Sequence, residues 1–230
     1  MLIYLEGNIG SGKSTFIEFL KDHISKNNWN ADVLLEPVEE WENTKDSNDV
    51  NILQHYYQDQ KKYGFAFQIN ALISRVKKIE EFVYKSNKSV HFIERSIFTD
   101  RNVFLESNFK SGNITEIEYV IYKQWFDWML EKFKMNADGF VLLNTDYKMC
   151  SERIRQRNRT GEETIPLEYL KDLDEYHHIW LSEEQTKNGK KVLNIDASQN
   201  FFKDTQSLEE ELDKIRNFIE EIKKEKINYV

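Results

Sequence analysis

The segment Gly7-Asn8-Ile9-Gly10-Ser11-Gly12-Lys13-Ser14 constrains this chain more than any other, because it spells a complete G-x-x-x-x-G-K-S loop. An apolar run, Leu2–Leu5, precedes it, and Thr15-Phe16-Ile17-Glu18-Phe19-Leu20 follows with helical spacing. Strand, glycine loop and helix in that order form the context in which this pattern marks a phosphate site. Glycines let backbone N–H groups turn inward around an anion, and the helix N-terminus adds partial positive charge. Lys13 is then expected to reach the outer phosphates of a nucleoside triphosphate, with Ser14 holding Mg²⁺. Gly7 through Thr15 form the expected nucleotide cradle. The plain alternative, a strand-to-helix turn that binds nothing, would not need the lysine and serine.

The chain has 230 residues, enough for one sizeable α/β domain with a small lid. Hydrophobic content of 40%, with 13% aromatics, is globular composition, and no apolar stretch approaches the roughly 18 residues needed to cross a bilayer. The first strand-like run starts at residue 2, so no leader peptide is expected. A cytoplasmic protein with no membrane partner is expected. The single cysteine, Cys150, excludes an internal disulfide and a cysteine metal cage. A net charge of −8 argues against a nucleic-acid polymer as partner, since backbone binding wants a basic face.

Strand-like runs recur at Leu2–Leu5, Val33–Leu35, Val90–Ile93, Phe140–Leu143 and Val192–Ile195, separated by helical periodicity. This alternation predicts a five-stranded parallel sheet covered by helices on both faces, within one domain spanning residues 1–230. Ligands in such sheets bind beyond the carboxyl ends of the strands. Beyond the second run stands Glu36-Pro37-Val38, and beyond the third Glu94-Arg95-Ser96. The polar stretch Glu42–Asn51 reads as a surface connection. The tail from Leu208 onward reads as a solvated amphipathic helix.

Glu36 at a strand end could accept a proton from an attacking hydroxyl, or be a surface charge at a loop start. Pro37 biases Glu36 toward an extended conformation. Arg95 could neutralise a transferring phosphoryl group or orient a carboxylate, with Glu94 supplying a contact to Mg²⁺; a structural Glu–Arg pair is the alternative. Gln68 and Arg75 share a helix face, about 10.5 Å apart along the axis, with Ala71 between them. They make a base-recognition surface or a solvent stripe, and pairing of Asp100 with Arg75 would favour the former. Arg153, Arg155, Arg157 and Arg159 form a basic patch in an acidic chain. On a continuous helix Arg153 and Arg157 share a face, while Arg155 and Arg159 point away. A helix ending near Asn158, before Thr160-Gly161, would let Arg157 and Arg159 grip phosphate with Arg153 nearby, as part of a lid spanning residues 153–164.

Several separated motifs now agree in order: G-N-I-x-x-G-K-S at residues 7–14, E-P-V at 36–38 with Trp41, F-Q at 67–68, and S-R at 74–75. E-R-S at 94–96, D-R at 100–101 and the arginine patch followed by Ile165-Pro166-Leu167-Glu168-Tyr169-Leu170 continue the series. The chain resembles, nearly end to end, the deoxyribonucleoside kinase family, in its deoxycytidine and deoxyguanosine kinase branch. The resemblance implies a P-loop kinase fold and transfer of the γ-phosphoryl of ATP, with Mg²⁺, to the 5′-hydroxyl of a deoxyribonucleoside. It implies that Glu36 is the general base, with Arg95 beside the 5′-oxygen and Lys13 on the donor. Gln68 would bind the base edge, Trp41 and Phe67 its faces, and Tyr57 and Glu162 the sugar 3′-hydroxyl. Val38, Leu53, Ala71, Arg75, Asp100 and Phe104 would complete the pocket. Arg153, Arg157 and Arg159 would form the lid, Phe202 would lie beside the donor adenine, and the protein would be a homodimer. The sequence departs from the family at R-N-R-T-G-E-E, where Gly161 takes the first acidic position and Glu163 competes with Glu162.

Ala71, Arg75 and Asp100 match the combination of cytosine- and purine-accepting members. An ionised Asp100 held by Arg75 accepts from an exocyclic amine, which thymine lacks; thymine O4 would oppose two acceptors. Deoxycytidine and purine deoxyribonucleosides are therefore expected over thymidine. The alternatives are a nucleoside monophosphate kinase on the same scaffold and a regulatory nucleotide-binding module. Against the first, Glu36 would repel a phosphorylated acceptor.

Overall fold

The computed structural model describes residues 1–159, 161–162, 165–198 and 205–228. The elements run β1 (Leu2–Glu6), α1 (Lys13–Lys26), β2 (Ala31–Leu34), α2 (Val38–Asn43), α3 (Ile52–Gln58), α4 (Gln60–Lys85) and β3 (Val90–Glu94). Then follow α5 (Ile97–Thr99), a π-helical segment (Asp100–Leu105), α6 (Glu106–Lys110), α7 (Glu116–Phe133) and β4 (Gly139–Asn144). The last are α8 (Tyr147–Arg157), α9 (Leu167–Thr186), β5 (Lys191–Asp196) and α10 (Thr205–Asn228).

All five strands are parallel, in the order β2-β3-β1-β4-β5. Side chains of a strand alternate between faces, and here both faces are buried, which is why the strands read as unbroken apolar runs. Ile3, Leu5, Phe92, Val141 and Leu143 point to one side, where Phe16, Ile17 and Leu20 of α1 meet Leu212, Ile215 and Phe218 of α10. Tyr4, Ile93, Phe140 and Leu142 point to the other, against Leu72 and Val76 of α4, Tyr122 and Phe126 of α7, and Leu173 and Trp180 of α9. The expected P-loop kinase architecture is therefore present.

The register pairs Leu5 with Glu94 and Leu34 with Ile93, so β1, β2 and β3 end at one level. This brings Gly7, Glu36 and Arg95 to a common edge. β2 begins at Ala31 and stops at Leu34, one residue short of the expected end. The backbone turns out of the sheet there, and the Glu36 N–H donates to Glu94 Oε2 at 3.3 Å. The connection expected at Glu42–Asn51 is an exposed excursion closed by a single antiparallel bridge, Lys45 to Asn51.

The tail is helical but not simply solvated. Leu208, Leu212, Ile215, Phe218, Ile219 and Ile222 bury its apolar face in the sheet core. A Cβ on Gly139 would come within 2.8 Å of Ile222 Cδ1 and 2.9 Å of Phe218 Cζ, so the tips of these α10 side chains pack directly on the β4 backbone. A charged sequence hid a core helix because its apolar stripe is narrow.

Candidate active site

A cavity of about 520 Å³ lies at the common edge, lined by the glycine loop, the ends of β2 and β3, α2, α3, α4 and the last turns of α8. That size suits a small-molecule site. Ile9, Gly10, Gly12, Lys13, Ser14 and Thr15 line one end. Glu36, Val38, Trp41, Leu53, Tyr57, Phe67, Gln68, Ala71, Arg75, Glu94, Arg95, Asp100 and Phe104 line the rest, with Arg153, Arg157, Arg159 and Glu162 closing over it. Gly7, Asn8 and Ser11 stand behind the lining and shape the loop. Phe202 and Glu163 fall outside the described residues.

The loop requires its glycines. Gly10 has φ +78°, and a Cβ there would come 2.5 Å from the Cys150 carbonyl oxygen. Asn8 ties the loop to α9, its Nδ2 donating to the Leu170 carbonyl at 2.7 Å, while its Oδ1 accepts from Ile9 N–H at 2.8 Å. The Ser11 carbonyl accepts from Thr145 Oγ1 at 3.1 Å and from Arg153 Nη1 at 3.0 Å. Arg153 Nη2 donates to the Ala197 carbonyl at 2.9 Å, so this arginine joins the loop to the end of β5. Lys13 curls back, donating to the carbonyls of Gly7 at 2.9 Å and Asn8 at 2.7 Å. Burial, with Arg95 acting in the same direction, lowers its ammonium to about 7.

The carboxylates at the strand ends are held differently. Glu94 Oε1 accepts from the Ser14 hydroxyl at 2.6 Å. These two oxygen groups are the ones that could meet a hard cation at the cradle. Among the described residues no three His, Cys, Asp or Glu side chains cluster as metal ligands. A hydroxyl beside a carboxylate suits an ion such as Mg²⁺, which takes few protein oxygens and keeps water and phosphate ligands. Glu36 Oε1 accepts from Arg75 Nη2 at 2.9 Å and lies 3.2 Å from Arg95 Nε. Burial pushes the Glu36 carboxyl up, but Arg95, Arg75 and Lys13 outweigh it and hold it down at about 2.

Arg75 is the hinge of the arrangement. Its Nε donates to Asp100 Oδ2 at 2.8 Å and its Nη2 to Asp100 Oδ1 at 3.2 Å, a two-pronged pair buried on both sides. Burial pushes the Asp100 carboxyl up against the opposing pull of Arg75. The guanidinium also faces the Trp41 ring, 5.4 Å from its centroid, and Trp41 Nε1 donates to Ser74 Oγ at 2.8 Å. Arg95 faces Phe104 at 5.0 Å. Asp100 and Phe104 ride on the π-helical segment, a rare conformation common at functional sites and invisible to periodicity. Gln68 Oε1, Arg75 Nη1 and Arg95 Nη1 are buried with no hydrogen-bond partner among the described residues. Orphaned donors and acceptors of this kind call for a polar ligand.

α8 ends at Arg157 with Asn158 left-handed at φ 51°. Arg159 therefore swings back, and Arg157 and Arg159 both engage Glu162, Arg159 at 3.2 Å and Arg157 more closely. Arg159 also lies 3.5 Å from Glu42, while Arg155 faces solvent away from the cavity. Tyr57 is raised by burial and then by Glu162, which keeps its phenol protonated. Two lining residues escaped the sequence reading, Tyr56 and Gln156. The Tyr56 hydroxyl lies 3.0 Å from that of Tyr169 and accepts from Asn108 Nδ2 at 3.0 Å. Its spacing of three from Leu53 on a capped helix was the available signal.

The parallel sheet and glycine cradle define a P-loop nucleotide-binding protein. A family model described as deoxynucleoside kinase matches residues 3–220, and the chain belongs to that family. It is 35% identical to deoxycytidine kinase 2 of Gallus gallus, over 94% of this chain and 89% of the relative. It is 32% identical to deoxycytidine kinase of Homo sapiens, over 94% and 90%. It is 34% identical to the mitochondrial thymidine kinase 2 of Homo sapiens, over 78% of this chain and 64% of the relative. The chain is thus a phosphotransferase that takes a nucleotide phosphate donor. No described helix is long and apolar enough to cross a membrane.

Proposed function

We propose that this kinase transfers the γ-phosphoryl of ATP to the 5′-hydroxyl of deoxycytidine and purine deoxyribonucleosides in preference to thymidine. One observation supports the reading: Lys13 and Glu36 line a single cavity that is also lined by Gln68, Arg75 and Arg95, each of which carries an orphaned polar atom. In this reading the loop Gly7–Thr15 cradles the donor phosphates, with Lys13 on the outer ones, and Ser14 and Glu94 would hold Mg²⁺, which would neutralise phosphate charge. Glu36 takes the proton of the 5′-hydroxyl, and Arg95 fixes Glu36 and the 5′-oxygen. A carboxylate held at about 2 is a weak base. It suffices because the transition state is loose, so the nucleophile sheds its proton late. Arg153, Arg157 and Arg159 stabilise transferring charge from a lid spanning residues 153–164.

At the other end, Gln68 reads the base edge beside Trp41 and Phe67, whose rings meet each other edge to face at 5.5 Å and so form one aromatic wall rather than the two faces of a slot. Asp100, fixed by Arg75, accepts from the exocyclic amine; Val38, Leu53, Ala71 and Phe104 set the pocket's shape; Tyr57 and Glu162 take the 3′-hydroxyl. Residues 1–230 act as one catalytic domain, and Phe202 is assigned to the donor base. A homodimer through α7 fits the exposure of Trp125 and Trp128 on a helix whose opposite side is buried. The acidic balance and lone buried thiol fit a cytoplasmic enzyme without a nucleic-acid polymer or membrane partner.

Steady-state kinetics with the four deoxyribonucleosides, ATP and Mg²⁺ tests the reading. Deoxycytidine or a purine deoxyribonucleoside should give the highest kcat/KM, and thymidine at the top would overturn the specificity. Deoxycytidine monophosphate as the better acceptor would restore the monophosphate kinase alternative.

A further inference from the structure

Glu6 ends β1 immediately before the glycine loop and is wholly buried. A polar side chain so buried needs hydrogen-bond partners, because it has lost its contact with water. Both of its hydrogen-bond donors are neutral and both come from the chain after β3. Ser96 N–H donates to Oε1 at 3.1 Å and the Thr99 hydroxyl closely to Oε2. One residue upstream, Arg95 N–H donates to the Leu5 carbonyl at 2.9 Å. Consecutive amides of β3's exit are thus pinned to consecutive residues of β1, and between them Arg95 adopts φ +59°, a left-handed conformation costly for arginine. From that backbone its guanidinium meets Glu36 at 3.2 Å and faces the Phe104 ring at 5.0 Å.

We infer that Glu6 is a positioning residue for phosphoryl transfer: its carboxylate holds the Arg95–Ser96 turn so that Arg95 leaves the backbone toward Glu36. The inference rests on the proposed role of Arg95 at the 5′-oxygen. Glu6 ties the strained turn to β1 at two points, Ser96 and Thr99.

The test is steady-state kinetics with deoxycytidine and ATP on Glu6→Ala, Glu6→Gln, Thr99→Val, Arg95→Met and the doubles of each with Arg95→Met. Glu6→Ala should lower kcat by about 10- to 100-fold while KM for ATP stays within about twofold. Glu6→Gln, whose amide can accept from Ser96 and donate to Thr99, should restore most of kcat. Thr99→Val, which removes one donor and leaves Glu6 intact, should lower kcat in the same direction and settles the matter if Glu6→Ala does not fold. On the Arg95→Met background each of these effects should nearly vanish, because the clamp acts through that side chain. An unchanged kcat in Glu6→Ala and Thr99→Val would overturn the inference, as would equal loss in the alanine and glutamine variants or full multiplicative losses on Arg95→Met. Wild-type protein without deoxycytidine-dependent ATP turnover would overturn the proposed function as well.

Discussion

Arg75 touches two carboxylates with different proposed tasks, Glu36 near the reacting end and Asp100 at the base end. In Arg75→Met, Glu36 loses one of the two guanidiniums that hold it down, and burial then pushes it up. The wild-type enzyme should show no Glu36 limb in kcat/KM above pH 4.5. The variant's acid limb should appear about one pH unit or more higher, whatever its absolute rate. Coincident pH profiles would contradict this. The same depression makes Glu36 a stabilising group whose contribution is complete above its unfolded value of 4.5 and lost as pH falls through about 2.

Lys13 has the opposite sign. Its ammonium is lowered from 10.5 to about 7, so it costs stability below pH 7, and the cost is relieved as pH rises toward 10.5. A triphosphate in the cradle restores the charged form. ATP binding should therefore take up close to one proton at pH 8 and little at pH 6, seen as buffer-dependent calorimetric enthalpies at the higher pH alone. Equal enthalpies in all buffers at pH 8 would contradict it. Neither property was legible in the sequence, which shows that Lys13 belongs to a cradle but not that the lysine folds onto its carbonyls.

Among the elements, strands were the most legible, because runs buried on both faces stand out from a charged background. Their carboxyl ends were legible to within one residue, since Glu36 and Glu94 are charges placed directly after apolar runs. The π-helical segment was not, for so short and rare a conformation leaves no periodicity to read. The arginine patch fell between. Periodicity separated Arg155 from Arg153 and Arg157, but the left-handed Asn158 that returns Arg159 to the cavity shows only in three dimensions.

Two helices carry predictions of their own. On α10, Phe218→Ala should destabilise the fold by about 3–5 kcal/mol in denaturant titrations, because it opens a hole against β4. A change near zero would mean that α10 does not pack on the sheet. On α7, Ile117, Val120, Trp125 and Trp128 are exposed while Tyr122, Phe126 and Met129 are buried. Such an apolar outer face fits an interface. Trp128→Glu should convert a sedimenting dimer to monomer, and a wild-type monomer at every concentration would refute the dimer.

At the scale of the molecule, the strand order places β1 between β3 and β4, so the glycine loop opens where the chain's path across the sheet reverses. The ends of β2 and β3 then deliver Glu36 and Arg95 to one side of the cradle, and α8 delivers the arginines from the other. Local pattern announced each component. Their convergence needed the register, and the Arg75 bridge between Glu36 and Asp100 needed the fold itself.

The central claim is that the Lys13 cradle and the Glu36 carboxylate act on the two ends of one phosphoryl transfer. Deoxycytidine-dependent ATP turnover, measured beside ATP affinity in wild-type protein and Glu36→Gln, tests it most directly. The variant should lose about 10²- to 10⁴-fold in kcat with ATP binding nearly unchanged. Near-normal turnover in Glu36→Gln would contradict it.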